Sequence, residues 1–267
     1  MMNNWKTIVT DQLQTLQKCG LGDMASSLTV TYSIKDSENS TLDDLTKIID
    51  AFRFSKELTI SYIEATEVPW EQEAMEAISR SCVHSHLPGE KKIVYYFHNK
   101  GVSHYSENWR DQCNSPDFNY CKAIYWRKYM EWFLLEKPTL CLRAVLYHGA
   151  STCGVNLFSW PSWHYSGNFW AASCSWIQNI SPIDPLPRAQ FLRTIAAELW
   201  IGNHSSSEND FSTDQHIGFD FFRRADGYSS NFPYLSTMLP ERYANETEHA
   251  LNTRYSELWL DYFEGLK

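Results

Sequence analysis

The sequence predicts a single α/β domain in which helices flank a mostly parallel sheet. Two observations lead to this fold class. Helix-like and strand-like hydrophobic patterns alternate along the first half of the chain, and such alternation is typical of layered α/β folds. The 267 residues, of which 43% are hydrophobic, are enough for one large core. We therefore expect one domain over residues 1–267.

The first four elements follow from local spacing. Apolar residues recur at helical spacing from Trp5 and predict a helix over residues 5–19 that ends before a glycine. Residues 28–34 alternate between apolar and polar side chains, which predicts a strand with one buried face. A helix opens at Thr41 with a Thr-x-x-Asp start, and residues 58–63 predict a second strand.

The later elements continue the alternation. A helix is expected to begin after a proline and to precede an apolar strand that contains two tyrosines. Three further helices are expected towards the carboxyl terminus, the last of them amphipathic. The predicted ranges are a helix at 71–82, a strand at 92–97, and helices at 122–135, 188–202 and 246–266.

Charge and composition exclude some classes of function. The formal net charge of −9 argues against a nucleic-acid-binding protein, which would carry a basic face. Aromatic residues make up 15% of the chain and include 11 tryptophans, which favours a protein that binds a small ligand. No apolar run is long enough to span a membrane, so we expect no transmembrane segment.

The compartment is predicted from the cysteines and the amino terminus. The start, Met-Met-Asn-Asn-Trp-Lys, is not a charged segment leading into an apolar one. Seven cysteines without a Cys-x-x-Cys pair fit reduced thiols. We therefore expect a cytoplasmic protein. In that compartment the four Asn-x-Ser/Thr sequons are chance matches; they begin at Asn39, Asn179, Asn203 and Asn245.

The stretch from Gly154 to Trp176 is rich in both rings and polar groups. Residues 164–168 are expected to form a turn in which a glycine lets the backbone approach a ligand. Sugars are bound by such mixtures, because their hydroxyls need hydrogen bonds and their C–H faces stack on rings. The alternative is an aromatic core with a structural turn. The candidate acceptor-binding residues are Trp163, Tyr165, Ser166, Gly167, Asn168 and Trp170.

This turn also carries a resemblance to a known family. The segment His-Tyr-Ser-Gly-Asn-Phe-Trp-Ala, residues 164–171, resembles the H-Y/F-S-G-N-F-W-W-A motif of bacterial, algal and large-virus glycosyltransferases with a GT-A-like fold. The family's second tryptophan is replaced by Ala171. Residues 95–103 resemble its Y-x-H-x-K-G-V-S strand end, and residues 126–130 resemble its W-R-x-Y-M helix. The likeness covers about residues 3–202, and residues 203–267 fall outside it.

The resemblance implies a GT-A-like sheet whose usual first strand is absent from this chain. In the family that strand precedes the Asn-Asn-Trp-Lys helix, whereas this sequence begins at the helix. The strand's end normally touches the nucleotide. We therefore expect weaker binding of the base.

The implied activity is the transfer of a sugar from a nucleotide-sugar donor to a saccharide acceptor, in polysaccharide or glycan synthesis. A strand's carboxyl end would present groups to the donor diphosphate, as is usual for ligands of parallel sheets. Alternatively, the segment that contains His98 and Lys100 is a solvated loop, and Arg127 makes a structural ion pair. The candidate donor-binding residues are His98, Lys100, Gly101 and Arg127.

Glu198 is the candidate catalytic base. It lies in Ala-Glu-Leu-Trp, which resembles the family's A-E-x-W ending, near the end of a predicted helix. A carboxylate there would accept a hydrogen bond from the acceptor hydroxyl. His164 is the second candidate, and a surface glutamate without a catalytic role is the alternative.

A divalent metal ion is a further expectation of the resemblance, but its usual ligands are missing. The sequence contains no Asp-x-Asp pair, which many GT-A enzymes use to hold Mn²⁺ or Mg²⁺ on the diphosphate. His98 with Asp111 or Glu198 could bind an ion, or Lys100 and Arg127 could replace it.

Two other functions stay open at the level of sequence. A non-catalytic carbohydrate-binding protein would keep the aromatic groove and lack a working donor site. A glycoside hydrolase would need two facing carboxylates, which sequence alone does not reveal.

Overall fold

The computed structural model is described over twelve segments that contain both helices and strands. They are residues 5–33, 40–52, 54, 58–65, 71–83, 91–99, 126–147, 150–155, 157–158, 164–183, 196–203 and 218–220. The helices are α1 (Trp5–Lys18), α2 (Leu21–Met24), α3 (Ser40–Asp50), α4 (Glu71–Val83), α5 (126–131), which continues as a π-helix (Trp132–Glu136), α6 (Pro138–Tyr147), α7 (Cys174–Ile177) and α8 (196–200). The strands are β1 (Ser27–Ser33), β2 (Thr59–Ala65), β3 (Ile93–Tyr96), β4 (Thr152–Gly154), β5 (Leu157–Phe158), β6 (His164–Tyr165), β7 (Trp170–Ser173) and β8 (Gly218–Asp220).

These strands form three sheets. β1 and β2 pair in parallel, β5 and β6 pair antiparallel, and a four-stranded sheet has the order β3-β7-β4-β8. Within the larger sheet, β7 is antiparallel to both of its neighbours, whereas β4 and β8 are parallel. The described strands therefore mix parallel and antiparallel pairing where the sequence predicted a mostly parallel sheet. The GT-A-like assignment stays a prediction.

Local sequence patterns predicted the early elements closely. The predicted helices 5–19 and 71–82 correspond to α1 and α4, and the three predicted strands correspond to β1, β2 and β3. α1 ends before Gly20, whose φ of 77° is a left-handed conformation that glycine adopts without strain. Only parts of the predicted helices 122–135 and 188–202 are described, and 246–266 lies outside the described residues.

Two apolar cores lie on opposite faces of β3 and β7. The first contains buried residues of α1, α3, α5, α6 and β4, and the second contains buried residues of α4, α7 and α8. Tyr95 packs against the first core and Tyr96 belongs to the second; likewise Ala171 belongs to the first and Ala172 to the second. Successive side chains of a strand point to opposite faces. Strands β3 and β7 therefore carry groups of both cores.

Two disulfide bonds contradict the expectation of reduced thiols. Cys82 of α4 is bonded to Cys174 of α7, and Cys141 of α6 is bonded to Cys153 of β4. All four are buried, and Cys19 is a free thiol. The partners are 92 and 12 residues apart in sequence. The odd number of cysteines and the lack of a Cys-x-x-Cys pair did not reveal these disulfides, because only the fold brings the partners together.

The longer cross-link should contribute strongly to stability. We expect the double variant Cys82→Ala/Cys174→Ala to lose about 4 to 5 kcal/mol of unfolding free energy, because the bond restricts a long loop in the unfolded chain. Urea denaturation under non-reducing conditions measures this. The control is Cys19→Ala, which removes only a free thiol. Equal stability of the double variant and the wild type would contradict the bond.

Candidate functional site

The candidate site is built around a left-handed turn at Gly167 and Asn168. Their φ angles are 94° and 57°, and Asn168 is a non-glycine residue of a type that tolerates this conformation. The Asn168 N–H donates to the carbonyl of Tyr165 at 2.9 Å and closes the turn. A Cβ on Gly167 would lie 2.5 Å from the Met130 Sδ and 3.0 Å from the Trp126 Cζ2. Glycine is therefore favoured by the backbone conformation, and a Cβ at this position would also force the Met130 side chain to shift.

His98 reaches this turn from the carboxyl end of β3. Its Nε2 lies 3.0 Å from the Gly167 carbonyl oxygen. Its ring stacks on Tyr96, which is two residues earlier and therefore on the same face of the strand, with centroids 6.1 Å apart. About a fifth of the imidazole, 20%, is exposed. His98 thus combines a fixed orientation with access to solvent.

Glu71 is the group that sequence reasoning missed. It is the first residue of α4, where the helix dipole favours a negative charge. One carboxylate oxygen lies 3.4 Å from the His98 Nδ1, and the other accepts a hydrogen bond from the Asn168 Nδ2 at 2.6 Å. Its side chain is 34% exposed. The acidic first turn of α4 is visible in the sequence, but nothing there links it to a residue 97 positions later.

The Asn168 carboxamide joins the helix start to the strand. While its Nδ2 donates to Glu71, its Oδ1 accepts a hydrogen bond from the Trp170 Nε1 at 2.8 Å. Asn168 is only 2% exposed. A buried amide whose two ends are both bonded is a structural group, so Asn168 holds the turn instead of presenting its side chain to a ligand.

Glu198 brings a second carboxylate to the same turn. It lies on α8, is partly exposed, and its Oε1 accepts a hydrogen bond from the Gly167 N–H. The two sides of Gly167 thus contact different titratable groups, since His98 bonds its carbonyl and Glu198 bonds its amide. The structure therefore brings together His98, Glu71 and Glu198.

The rings of the motif lie in the core. Trp170 is fully buried, with its ring centroid 5.3 Å from that of Tyr96 and 6.2 Å from that of Trp200. Tyr165 is also buried, and its hydroxyl lies 3.0 Å from the Thr152 Oγ1. In this structure neither ring offers a face to a sugar, in agreement with the alternative of an aromatic core.

Two motif residues keep contact with solvent, and several candidates cannot be placed. His164 and Ser166 are partly exposed beside the turn. The candidates that lie outside the described residues are Trp163, Lys100, Gly101 and Asp111.

Arg127 does not face a donor site. Its side chain is fully buried on α5, and its Nε lies 3.6 Å from the Glu131 Oε1. Glu131 also lies 3.2 Å from the Lys128 Nζ and accepts a hydrogen bond from the Gln12 Nε2 at 2.8 Å. Arg127 therefore belongs to a structural ion pair. The phosphate-binding role does not fit, because a buried guanidinium cannot meet a diphosphate.

This ion-pair network is connected through Gln12 to the backbone of His98. The Gln12 Nε2 donates both to Glu131 and to the backbone carbonyl of His98, the latter at 3.0 Å. Gln12 is itself buried. The backbone of His98 is therefore held on one side by α1, while its ring is held on the other by the turn.

Tyr96 has its protonation state fixed by its surroundings. Burial raises the pKa of its hydroxyl well above 10, and the charge and hydrogen bond of Glu71 raise it further. The phenol therefore keeps its proton at ordinary pH and donates a hydrogen bond to the Glu71 carboxylate. Together with Asn168, it holds the Glu71 carboxylate in place.

No cluster of three or more metal-ligating side chains is found among the described residues. His98 has one carboxylate, Glu71, within ion-pair distance. This pair contains too few ligands for a firmly held divalent ion. Metal binding stays a prediction.

The comparisons with known proteins assign a family but no activity. The family DUF8361, a domain of unknown function, matches residues 1–222. The chain belongs to DUF8361. No curated protein and no solved structure matches the chain. Membership of DUF8361 therefore leaves the function to be argued from the groups at the turn.

In the described part of the DUF8361 chain, none of the helices has both the length and the apolar character that crossing a membrane requires.

Asn168 should be critical for the stability of this DUF8361 domain. Asn168→Ala removes the hydrogen-bond partner of the Trp170 N–H and of the Glu71 carboxylate. It also places alanine at a positive φ, which alanine tolerates less well than asparagine. We expect a loss of about 2 to 3 kcal/mol in urea denaturation. The control is Asn179→Ala, which removes an exposed hydrogen bond to the Ser175 carbonyl and should change stability by less than about 0.5 kcal/mol. Equal effects of the two variants would contradict the structural role.

Proposed function

We propose that this chain transfers a sugar from a nucleotide-sugar donor to a saccharide hydroxyl in glycan or polysaccharide synthesis. The observation that carries the proposal is the meeting of His98, Glu71 and Glu198 at one rigid turn beyond the carboxyl end of β3. Ligands of α/β sheets commonly bind at such edges. The resemblance to glycosyltransferases involves the same turn and the same strand end, which supports this reaction class.

Glu198 is the proposed catalytic base. Its Oε1 is anchored by the Gly167 N–H, which orients the carboxylate without neutralising it. The carboxylate would take the proton of the acceptor hydroxyl as that oxygen attacks the anomeric carbon of the donor. The partly exposed His164 and Ser166 would then contact the acceptor. Tyr165, Asn168 and Trp170 act indirectly, by fixing the shape of the turn.

His98 is the proposed contact to the departing diphosphate. In this structure its Nε2 faces the Gly167 carbonyl at 3.0 Å and its Nδ1 lies 3.4 Å from the Glu71 carboxylate, so a hydrogen bond to the diphosphate would replace the longer of these two contacts. Lys100 and Gly101, two and three residues further on, complete the proposed donor site, whereas Arg127 is excluded by its burial. A Mn²⁺ or Mg²⁺ ion belongs to the proposal as a partner of the donor.

Glycoside hydrolysis is a second candidate, because two carboxylates contact one turn. Glu71 reaches it through Asn168 and Glu198 through Gly167. Hydrolases use such a pair as acid and as base or nucleophile. They have no use for a nucleotide, which separates the two candidates. A carbohydrate-binding protein would bind saccharides and turn over neither substrate.

Nucleotide-sugar binding should stabilise the folded chain. In a thermal-shift screen of nucleoside diphosphates and nucleotide sugars, with and without manganese, we expect at least one to raise the Tm. Saturation at about 100 times the Kd stabilises the native state by about 2.7 kcal/mol. Lys100→Ala should reduce this shift. Lys91→Ala, which changes an exposed lysine just before the amino end of β3, should not. A Tm insensitive to every nucleotide would contradict the donor site.

Glu198→Gln should separate chemistry from binding. The amide oxygen can still accept the Gly167 N–H, so the turn is kept, but the group cannot take a proton. We expect kcat to fall about 10² to 10⁴-fold while donor affinity is unchanged. Glu76→Gln, at an exposed glutamate paired with Arg80 on α4, is the matched control. Near-normal turnover of Glu198→Gln would place the base elsewhere, with His164 the next residue to test.

A further inference from the structure

The Cys82–Cys174 disulfide and the Glu71–Asn168 hydrogen bond hold opposite ends of one helix. Glu71 is the first residue of α4, and its carboxylate accepts a hydrogen bond from the Asn168 Nδ2 at 2.6 Å. Cys82, in the last turn of α4, is bonded to Cys174, which directly follows β7. Asn168 lies just before the same strand. The two attachments of α4 therefore lead to the two ends of β7.

The dimensions of the two elements agree with this double attachment. Glu71 and Cys82 are about 17 Å apart along the helix, at about 1.5 Å per residue. Asn168 and Cys174 are at most about 20 Å apart along the chain, at about 3.3 Å per residue. Both α4 and β7 contribute buried residues to the second core. The helix is thus fixed lengthwise against the strand, so a displacement at one end of α4 is felt at the other.

The far end of α4 is held by the disulfide together with weaker contacts. The Gln178 Nε2 donates to the Cys82 carbonyl at 2.7 Å, and the Lys92 Nζ donates to the Ser81 carbonyl at 3.2 Å. The first of these hydrogen bonds is partly buried and the second is exposed, so water competes for both. Cys82 and Cys174 are buried. The disulfide is therefore the strongest of these contacts.

We propose that oxidation of Cys82 and Cys174 is a maturation step that completes the site, because it holds α4 where Glu71 reaches Asn168. The covalent bond raises the effective concentration of the Glu71 carboxylate at the turn. Linkage of this kind is reciprocal, so the Glu71–Asn168 contact also favours the disulfide. The proposal concerns the assembly of the site and holds for any reaction that the site serves.

The oxidation is an exchange between two thiols and a disulfide donor. One cysteine of the chain attacks the disulfide of oxidised glutathione or of a thiol–disulfide oxidoreductase, and the second cysteine displaces the donor. One S–S bond forms in the chain and one breaks in the donor, which takes up two electrons and two protons and leaves as two thiols. Such donors act in oxidising compartments. The site is therefore completed there, and not in the cytoplasm that the sequence predicted.

The linkage is tested by equilibrating the full chain in mixtures of reduced and oxidised glutathione. The remaining thiols are trapped by alkylation, and peptide mass spectrometry gives the reduced fraction of each cysteine pair. Glu71→Ala removes the contact with Asn168. At a fixed glutathione ratio we expect this variant to raise the ratio of reduced to oxidised Cys82–Cys174 about fivefold or more.

Three comparisons make this result specific. The Cys141–Cys153 bond, in the first core, reports any general loss of stability and should change less in Glu71→Ala. Glu76→Ala, at an exposed glutamate of the same helix, should leave both bonds as they are in the wild type. Glu71→Gln keeps an acceptor for the turn but loses the charge, so it should act in the same direction by a smaller factor. This milder variant serves where Glu71→Ala does not fold.

A rise confined to the Cys82–Cys174 pair supports the proposal. Equal changes in both disulfides would overturn it, because Glu71 would then act only through global stability. An unchanged Cys82–Cys174 ratio in the Glu71 variants would overturn it as well. The same holds for a wild-type chain in which this pair stays reduced in an excess of oxidised glutathione.

Discussion

The hydrogen bonds of the Asn168 carboxamide are the constraint on which the rest of the site depends. A buried amide is costly unless both ends are bonded, and here one end holds Glu71 at the start of α4 while the other holds Trp170 on β7. The turn between them then positions Gly167 so that its carbonyl and its amide meet His98 and Glu198. A single side chain thereby fixes the relative positions of a helix, a strand and three titratable groups.

The site also depends on the division of the interior into two cores. Because β3 and β7 contribute alternate residues to each, a change in register of either strand would exchange buried rings between the cores. One disulfide lies in each core, so each has its own covalent connection. His98 and Tyr96 share the face of the second core, whereas the Gln12 network that holds the His98 backbone contacts the first.

How far the sequence could predict this arrangement depends on the range of the interaction. The bounds of α1 and β1 follow from periodicity within a few residues, and they were predicted. Glu198 was chosen from its Ala-Glu-Leu-Trp segment, but its contact with the Gly167 N–H is seen only in the structure. The burial of Trp170 and Arg127 was not predicted, because composition does not reveal which residues pack against a ring or a guanidinium. The roles of Glu71 and Cys82 depend on partners more than ninety residues away.

The conformation of Gly167 limits which residues can replace it in DUF8361 chains. Two independent barriers oppose its replacement, the positive φ and the contact with Met130 and Trp126. The Met130 side chain can shift to relieve its contact, whereas the positive φ of Gly167 strains any L side chain whatever the space around it. In homologous chains a change at position 167 would mark loss of the turn itself, together with the meeting point of the histidine and the two carboxylates.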